Sequence, residues 1–128
     1  MDKKRFLERL DELGLDKSRF CIIAGGAMLM NGLRDKTDDI DIKMGRQYFE
    51  EIRSRFSVKE SSKFSYLYEL LDDVEVAVQE FDLRDVIMID GYLVESLELQ
   101  LRWKIKNGRA KDQLDIEKIQ RRRGTLYL

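Results

Sequence analysis

Two neighbouring stretches decide how this chain is read: Phe20-Cys21-Ile22-Ile23-Ala24-Gly25-Gly26-Ala27-Met28-Leu29-Met30, then Asp39-Ile40-Asp41-Ile42. The first is an apolar run cut by two glycines. It predicts a strand over 20–24, a break at Gly25-Gly26 and a short buried helix over 27–31 ending near Gly32. The second alternates acid and isoleucine with period two, the pattern of a strand with one acidic and one apolar face. Side chains two apart on a strand share a face, so Asp39 and Asp41 converge on one small volume while Ile40 and Ile42 point into the core. Like charges held that close repel unless protonated or neutralised. An oxygen-ligated divalent cation, magnesium foremost, is the efficient neutraliser. A solvated strand face near a loop accommodates the same Asp-x-Asp equally well. Gly25-Gly26, between strand and helix, permits close backbone approach to a phosphate at the helix N-terminus, or forms a simple tight turn.

Working outward, Phe6, Leu7, Leu10 and Leu13 recur at helical spacing before Gly14, predicting a helix over 3–13. Residues 34–38 read as polar loop. Tyr48, Phe49, Ile52 and Phe56 predict a second amphipathic helix, and 59–63 a polar connection. Strands are expected over 64–71 and 74–81 around Asp72-Asp73, and over 86–89 and 92–94 around the stronger turn Asp90-Gly91. Ser96 is a natural N-cap for a helix carrying Leu97, Leu101 and Ile105 as its apolar stripe, with Lys104 beside it, ended by Asn107-Gly108. A last helix spans about 111–122. The pattern is α/β or α+β: a mixed sheet flanked by helices, read as one domain over residues 1–128 because no proline, repeat or low-complexity linker divides it.

Composition narrows the function classes. Lys and Arg number 24 against 25 Asp and Glu, so the broad positive field of a non-specific DNA binder is absent. The chain contains no histidine, which excludes histidine triads, histidine-ligated zinc and histidine proton shuttles. Carboxylates, lysines and arginines must carry any chemistry. The lone Cys21 lies in an apolar run and reads as a buried thiol in a reduced cytoplasm. No apolar stretch reaches the roughly 20 residues needed to span a bilayer, and Met1 to Arg5 leads into an amphipathic segment rather than a signal core, so a cytoplasmic protein without a membrane partner is expected. Trp103, Tyr66 and Tyr68 read as packing residues rather than base-stacking platforms. Arg121-Arg122-Arg123 reads as cations complementing a helix C-terminus, with a nucleic-acid contact as the lesser alternative.

The combination of apolar strand, Gly-Gly, short helix and Asp-apolar-Asp resembles the signature of the polymerase-beta-like nucleotidyltransferase superfamily. The match runs from Ile22 to Ile42 and takes in Gly32, Arg34 and Thr37, which look like the loop of small bacterial members that modify antibiotics or act in toxin–antitoxin pairs. Lys104, followed by Arg109-Ala110-Lys111-Asp112-Gln113-Leu114-Asp115-Ile116, looks like their C-terminal segment, and the two stretches cover about a third of the chain. The resemblance implies a nucleotidyltransferase-like fold and transfer of a nucleoside monophosphate from a nucleoside triphosphate to an acceptor hydroxyl on a small molecule, a protein or an RNA end. It implies one or two magnesium ions held by Asp39, Asp41 and a third carboxylate from a neighbouring strand. Glu75 fits that third place better than Glu69 or Glu80, because it sits opposite the Val74/Val76/Val78 face. Gly25, Gly26, Arg34, Thr37, Lys104, Arg109 and Lys111 are the implied nucleotide-side residues. Lys111 and Asp115, four apart, could instead pair on a helix surface. Two positions depart from the family pattern: Glu75 where aspartate is commoner, and Gly26 where a serine hydroxyl could hold a phosphate. The rival readings are a nucleotide-binding or toxin–antitoxin module that keeps the fold without turnover, and an inert charged domain. So short a chain also suggests a homodimer or a partner protein.

Overall fold

The computed structural model describes the backbone of residues 1–127 and the side chains of residues 1–122. Seven strands form one mixed sheet: β1 (Phe20–Ile22), β2 (Ile40–Met44), β3 (Lys59–Glu60), β4 (Leu67–Leu71), β5 (Val74–Val78), β6 (Val86–Ile89) and β7 (Tyr92–Glu95). Their spatial order is β3-β4-β5-β2-β1-β7-β6, with β2 and β5 parallel, β1 and β7 parallel, and β1 and β2 antiparallel. Among the described residues five α-helices accompany the sheet: α1 (Lys3–Leu13), α2 (Ala24–Met30), α3 (Arg46–Ile52), α4 (Leu97–Asn107) and α5 (Gln113–Tyr127). This is the mixed α+β architecture that the period-two and helical patterns predict. Among the described residues no helix is long and apolar enough to cross a membrane.

One sheet face builds the core. Ile40, Ile42 and Met44 of β2 and Val74, Val76 and Val78 of β5 are buried with Ile22 of β1, against Phe6 and Leu10 of α1 and Phe49 and Ile52 of α3. The opposite face carries what the alternation leaves over: Asp41 and Lys43 from β2, Glu75 and Ala77 from β5. A second, smaller cluster of Met28, Leu101 and Ile119 joins α2, α4 and α5 and so brings the C-terminal helices to the turn that precedes the acidic strand.

Several boundaries differ from the sequence expectation for local physical reasons. Strand β1 ends at Ile22 and α2 begins at Ala24, so Gly25 and Gly26 form the first turn of the helix instead of a loop before it. The left-handed backbone at this switch falls on Ala24, φ 55°, and neither glycine supplies it. Residues 59–60 form a short edge strand where the polar composition suggested a connection. Ser96 caps α4 as expected, its hydroxyl accepting from the Leu99 amide. Ile105, however, is exposed at 55%, so the apolar stripe of α4 stops at Leu101. The last helix starts at Gln113, because Ala110–Asp112 is a 3-10 turn that breaks the helical phase between Lys111 and Asp115. It also runs past the three arginines, so they do not end it. Arg122 donates to the carbonyl of Asn31 and Lys118 to that of Leu33, placing their charge at the C-terminal end of α2 instead. The Arg123 side chain lies outside the described residues.

Candidate functional site

A cleft of about 660 Å³ opens on the polar face of the sheet and brings together Gly25, Arg34, Asp41, Lys43, Glu75, Glu95, Lys104, Arg109 and Lys111. That volume lies within the range of small-molecule sites, roughly 300–1,000 Å³. A smaller hollow of about 270 Å³ adjoins it through Gly25, Arg34 and Asp41 and adds Lys36, Thr37, Asp38 and Asp39. Of the metal-side and nucleotide-side residues that the resemblance implied, Gly26 alone lines neither.

The floor is set by strand register. Asp41 is the direct neighbour of Glu75 across the parallel β2–β5 ladder, so alternation puts both carboxylates on one face. Burial, then the charge of Glu75, then that of Asp39 push the Asp41 carboxyl up to about 6. Lys63, in the 61–66 loop, opposes this with its positive charge and lines the same cleft. Asp39 stands just before β2 and is exposed, so it belongs to the rim. Glu69 lies opposite Glu75 on β4 but is exposed, and Glu80 lies beyond the end of β5. The three candidate ligands thus differ in place: Asp41 and Glu75 on the floor, Asp39 at the edge. Among the described residues no three carboxylate or thiol groups are already gathered as a metal cage. What the donor set does offer a hard divalent cation is a pair of adjacent oxygen ligands that have no salt-bridge partner among the described residues, one of them with a raised pKa.

The two glycines serve different sides. A Cβ on Gly26 would stand 2.6 Å from the Phe6 ring and 3.0 Å from Ile22, so this glycine faces the core and makes room for α1. The departure from serine at this position is therefore explained by packing. A Cβ on Gly25 would meet the Arg34 guanidinium and the Thr37 hydroxyl, each at 2.9 Å. Gly25 thus lets both side chains close over the start of α2.

The opposite wall is an ion-pair network. Lys104 is buried and sits 3.1 Å from Asp115 and 3.7 Å from Asp112. Arg34 reaches Asp115 at 2.6 Å, and Arg109 holds Asp112 through two hydrogen bonds of 2.7 and 3.1 Å. The alternative Lys111–Asp115 pair gives way to these contacts, since the 3-10 turn moves Lys111 out of phase. Arg109, with help from Lys104, holds the Asp112 carboxyl below its usual range; at Asp115 burial works upward, and Arg34 and Lys104 together overcome it and hold that carboxyl below its range as well.

Sequence reading does not find several further cleft residues, among them Lys43, Trp103 and Tyr66. Lys43 shares the face of Asp41 by the same alternation and pairs with Glu95 at 3.4 Å. Trp103, expected to pack, is 51% exposed in the cleft. Tyr66 lines the cleft stacked on the exposed Phe64, whereas Tyr68 is a packing residue as expected. Cys21 is buried as expected, and burial pushes its thiol up to about 12, which makes it unreactive.

No family model matches the chain, and no curated protein does. Solved structures do. A candidate nucleotidyltransferase from Thermotoga maritima superposes with a TM-score of 0.64 at 22% identity, over 92% of this chain and 94% of that one. ANT(2″)-Ia, solved in complex with adenylyl-2″-tobramycin, superposes with a TM-score of 0.50 at 20% identity, over 89% of this chain and 81% of that one. The chain has the fold of the nucleotidyltransferases.

Proposed function

We propose that this protein is a magnesium-dependent nucleotidyltransferase that moves a nucleoside monophosphate from a nucleoside triphosphate to an acceptor hydroxyl. The observation that carries the reading is the Asp41–Glu75 pair on the cleft floor: two adjacent carboxylates with no salt-bridged cation among the described residues, inside a nucleotidyltransferase fold. Asp39, Asp41 and Glu75 would hold the metal, which when bound neutralises triphosphate charge and polarises the reacting phosphate. The residues of the chain supply the rest. Arg34 and Thr37, gathered over Gly25, and Lys111 on the facing wall offer cationic and hydroxyl contacts to the phosphates. Lys104 and Arg109 fix the wall from which such contacts are made. In the transfer the acceptor oxygen bonds to the α-phosphorus, the bond from that phosphorus to the bridging oxygen breaks, and pyrophosphate leaves. Glu75 accepts the hydroxyl proton where it is not itself occupied as a ligand. The adenylyl group in the ANT(2″)-Ia complex is the kind of product such chemistry yields. The acceptor here is a small molecule, a protein hydroxyl or an RNA end.

Thermal melts with each of the four nucleoside triphosphates, with magnesium or with a chelator, test the reading. A ligand at a hundredfold excess over its dissociation constant adds about 2.7 kcal/mol of stability. We expect a shift with at least one nucleotide that requires magnesium. A flat response to all four with magnesium present sinks the proposal.

A further inference from the structure

We propose that the α4 wall of the cleft, formed by Trp103 with Gln100 one turn before it, is the seat of the nucleobase. This rests on the nucleotidyl-transfer reading for the presence of a nucleotide and adds where its base is recognised. Two independent observations converge. Trp103 leaves half of its surface exposed in a cleft, although indole is among the most costly side chains to leave in water. The Arg109 guanidinium lies 4.8 Å from the ring and is itself pinned by its two hydrogen bonds to Asp112, so the indole is backed by a fixed cation and cannot readily fold away. Gln100, three residues earlier, lies on the same side of the helix and lines the same cleft. It is only 3% exposed, and among the described residues its Nε2 donor has no hydrogen-bond partner. Buried side-chain donors are nearly always paired, so an orphan in a cleft wall calls for an acceptor that arrives with a ligand.

The ligand chemistry follows from the pair. An aromatic face takes a flat ring, and an amide donor beside it takes a ring nitrogen or carbonyl at that ring's edge. A nucleobase presents both. A phosphate has no face to stack, and a ribose has no π-system. Asp41 and Glu75 line the same cleft, so a base on α4 leaves the triphosphate to reach the carboxylate floor and the Gly25 side.

Trp103 is the only tryptophan of the chain, so its emission reports the contact directly. Each of the four nucleoside triphosphates, and inorganic tripolyphosphate as the base-free control, is titrated with magnesium to saturation set by calorimetry. At least one nucleotide should change the indole emission, and tripolyphosphate should not. Trp103→Ala should weaken that nucleotide roughly tenfold or more while leaving tripolyphosphate unchanged, as expected for a lost base–aromatic stack. Trp103→Phe should restore part of the affinity, and Gln100→Leu should lower nucleotide affinity by a smaller factor. Unchanged emission with all four saturating nucleotides overturns the proposal, as does a Trp103→Ala variant that loses nucleotide and tripolyphosphate affinity alike. The two readings fail separately. Indole quenching by a nucleotide whose affinity ignores both magnesium and Asp41→Asn keeps the base seat and removes the metal site. Affinity that depends on magnesium and Asp41 but not on Trp103 does the reverse.

Discussion

On the sheet side of the cleft, Asp41 stands beside Glu75, and its carboxyl is pushed up to about 6; on the helix side, Asp112 and Asp115 are more deeply buried, yet both are held below the usual range. Burial alone would raise all three. At Asp41 burial is the largest influence and the negative neighbours add to it; at Asp112 and Asp115 cationic partners outweigh burial. Asp112 and Asp115 have Lys104, Arg109 and Arg34 in salt-bridge contact, whereas Asp41 has two negative neighbours and only the opposing field of Lys63. Carboxylates that bring their own cations are part of the scaffold, and carboxylates that lack them mark where a cation from solution gains most. An Asp-x-x-Asp on one side and an Asp-x-Asp on the other look equally acidic as strings; the fold separates them.

The largest expected effect tests the compensated side. Lys104→Met leaves Asp112 and Asp115 buried with one cation fewer each but with Arg109 and Arg34 still in place, so the loss should approach about 3 kcal/mol, that of a fully broken buried pair. The urea midpoint should fall with the m-value unchanged. The family resemblance implies Lys104 as a nucleotide-side cation, so a variant losing less than about 1 kcal/mol of stability while binding triphosphate poorly would restore that role and break the contrast.

The next effect has the opposite sign. The folded state holds the Asp41 proton more tightly than an unfolded chain, where the ordinary value is 3.8. Its contribution to stability is therefore complete below that value and is lost as pH rises towards about 6. Allowing for solvent screening, the loss is on the order of 2 kcal/mol. Asp112 and Asp115 run the other way: their contribution is present above the ordinary carboxylate range and is lost as pH falls through their lowered values. We expect Asp41→Asn to remove the decline between pH 4 and 6, to stabilise the metal-free protein at neutral pH, and to abolish magnesium-dependent nucleotide binding. Melting curves across pH, with and without magnesium, read all three. An unchanged pH slope in the variant would mean that Asp41 is not the strained member of its pair.

The same contrast explains what was legible in the sequence. Asp39-Ile40-Asp41 and Val74-Glu75-Val76 could be read because strand alternation is local: burial of the isoleucines and valines fixes the opposite face. Lys43 obeyed the same alternation and could have been found by continuing it one step. The helix wall could not be read this way. Arg34 and Asp115 are 81 positions apart, and Lys104 meets Asp115 only because Gly108, φ 59°, turns the chain between α4 and the last helix. Trp103 was misplaced because helical spacing fixes which side chains share a face but not whether that face meets a core or a cleft. Gly25-Gly26 was read as one signal, although its two residues point to different regions.

That glycine pair supplies the smallest effects and the finest division between core and cleft. Gly26→Ser drives a side chain against Phe6 and Ile22, rigid neighbours packed on every side, and overpacking of this kind costs about 1–3 kcal/mol. Gly25→Ala meets the ends of two longer side chains, Arg34 Nη1 and Thr37 Oγ1, which can move aside by rotamer change. Gly25 also lies in α2 with an ordinary negative φ, where alanine is favoured over glycine by up to about 1 kcal/mol. With Arg34 Nη1 swung aside and its Nη2 still on Asp115, the displaced contacts and the gained propensity should nearly cancel, leaving stability within about 0.5 kcal/mol of the parent. The site should still respond, because Arg34 and Thr37 must leave the positions from which they face the small hollow. Nucleotide affinity should therefore fall in Gly25→Ala at nearly constant stability, and stability should fall in Gly26→Ser at nearly constant affinity once the folded fraction is counted. Denaturant titration and calorimetry on the two variants measure both quantities, and the same response from both would show that the pair acts as a single turn with no division between core and cleft.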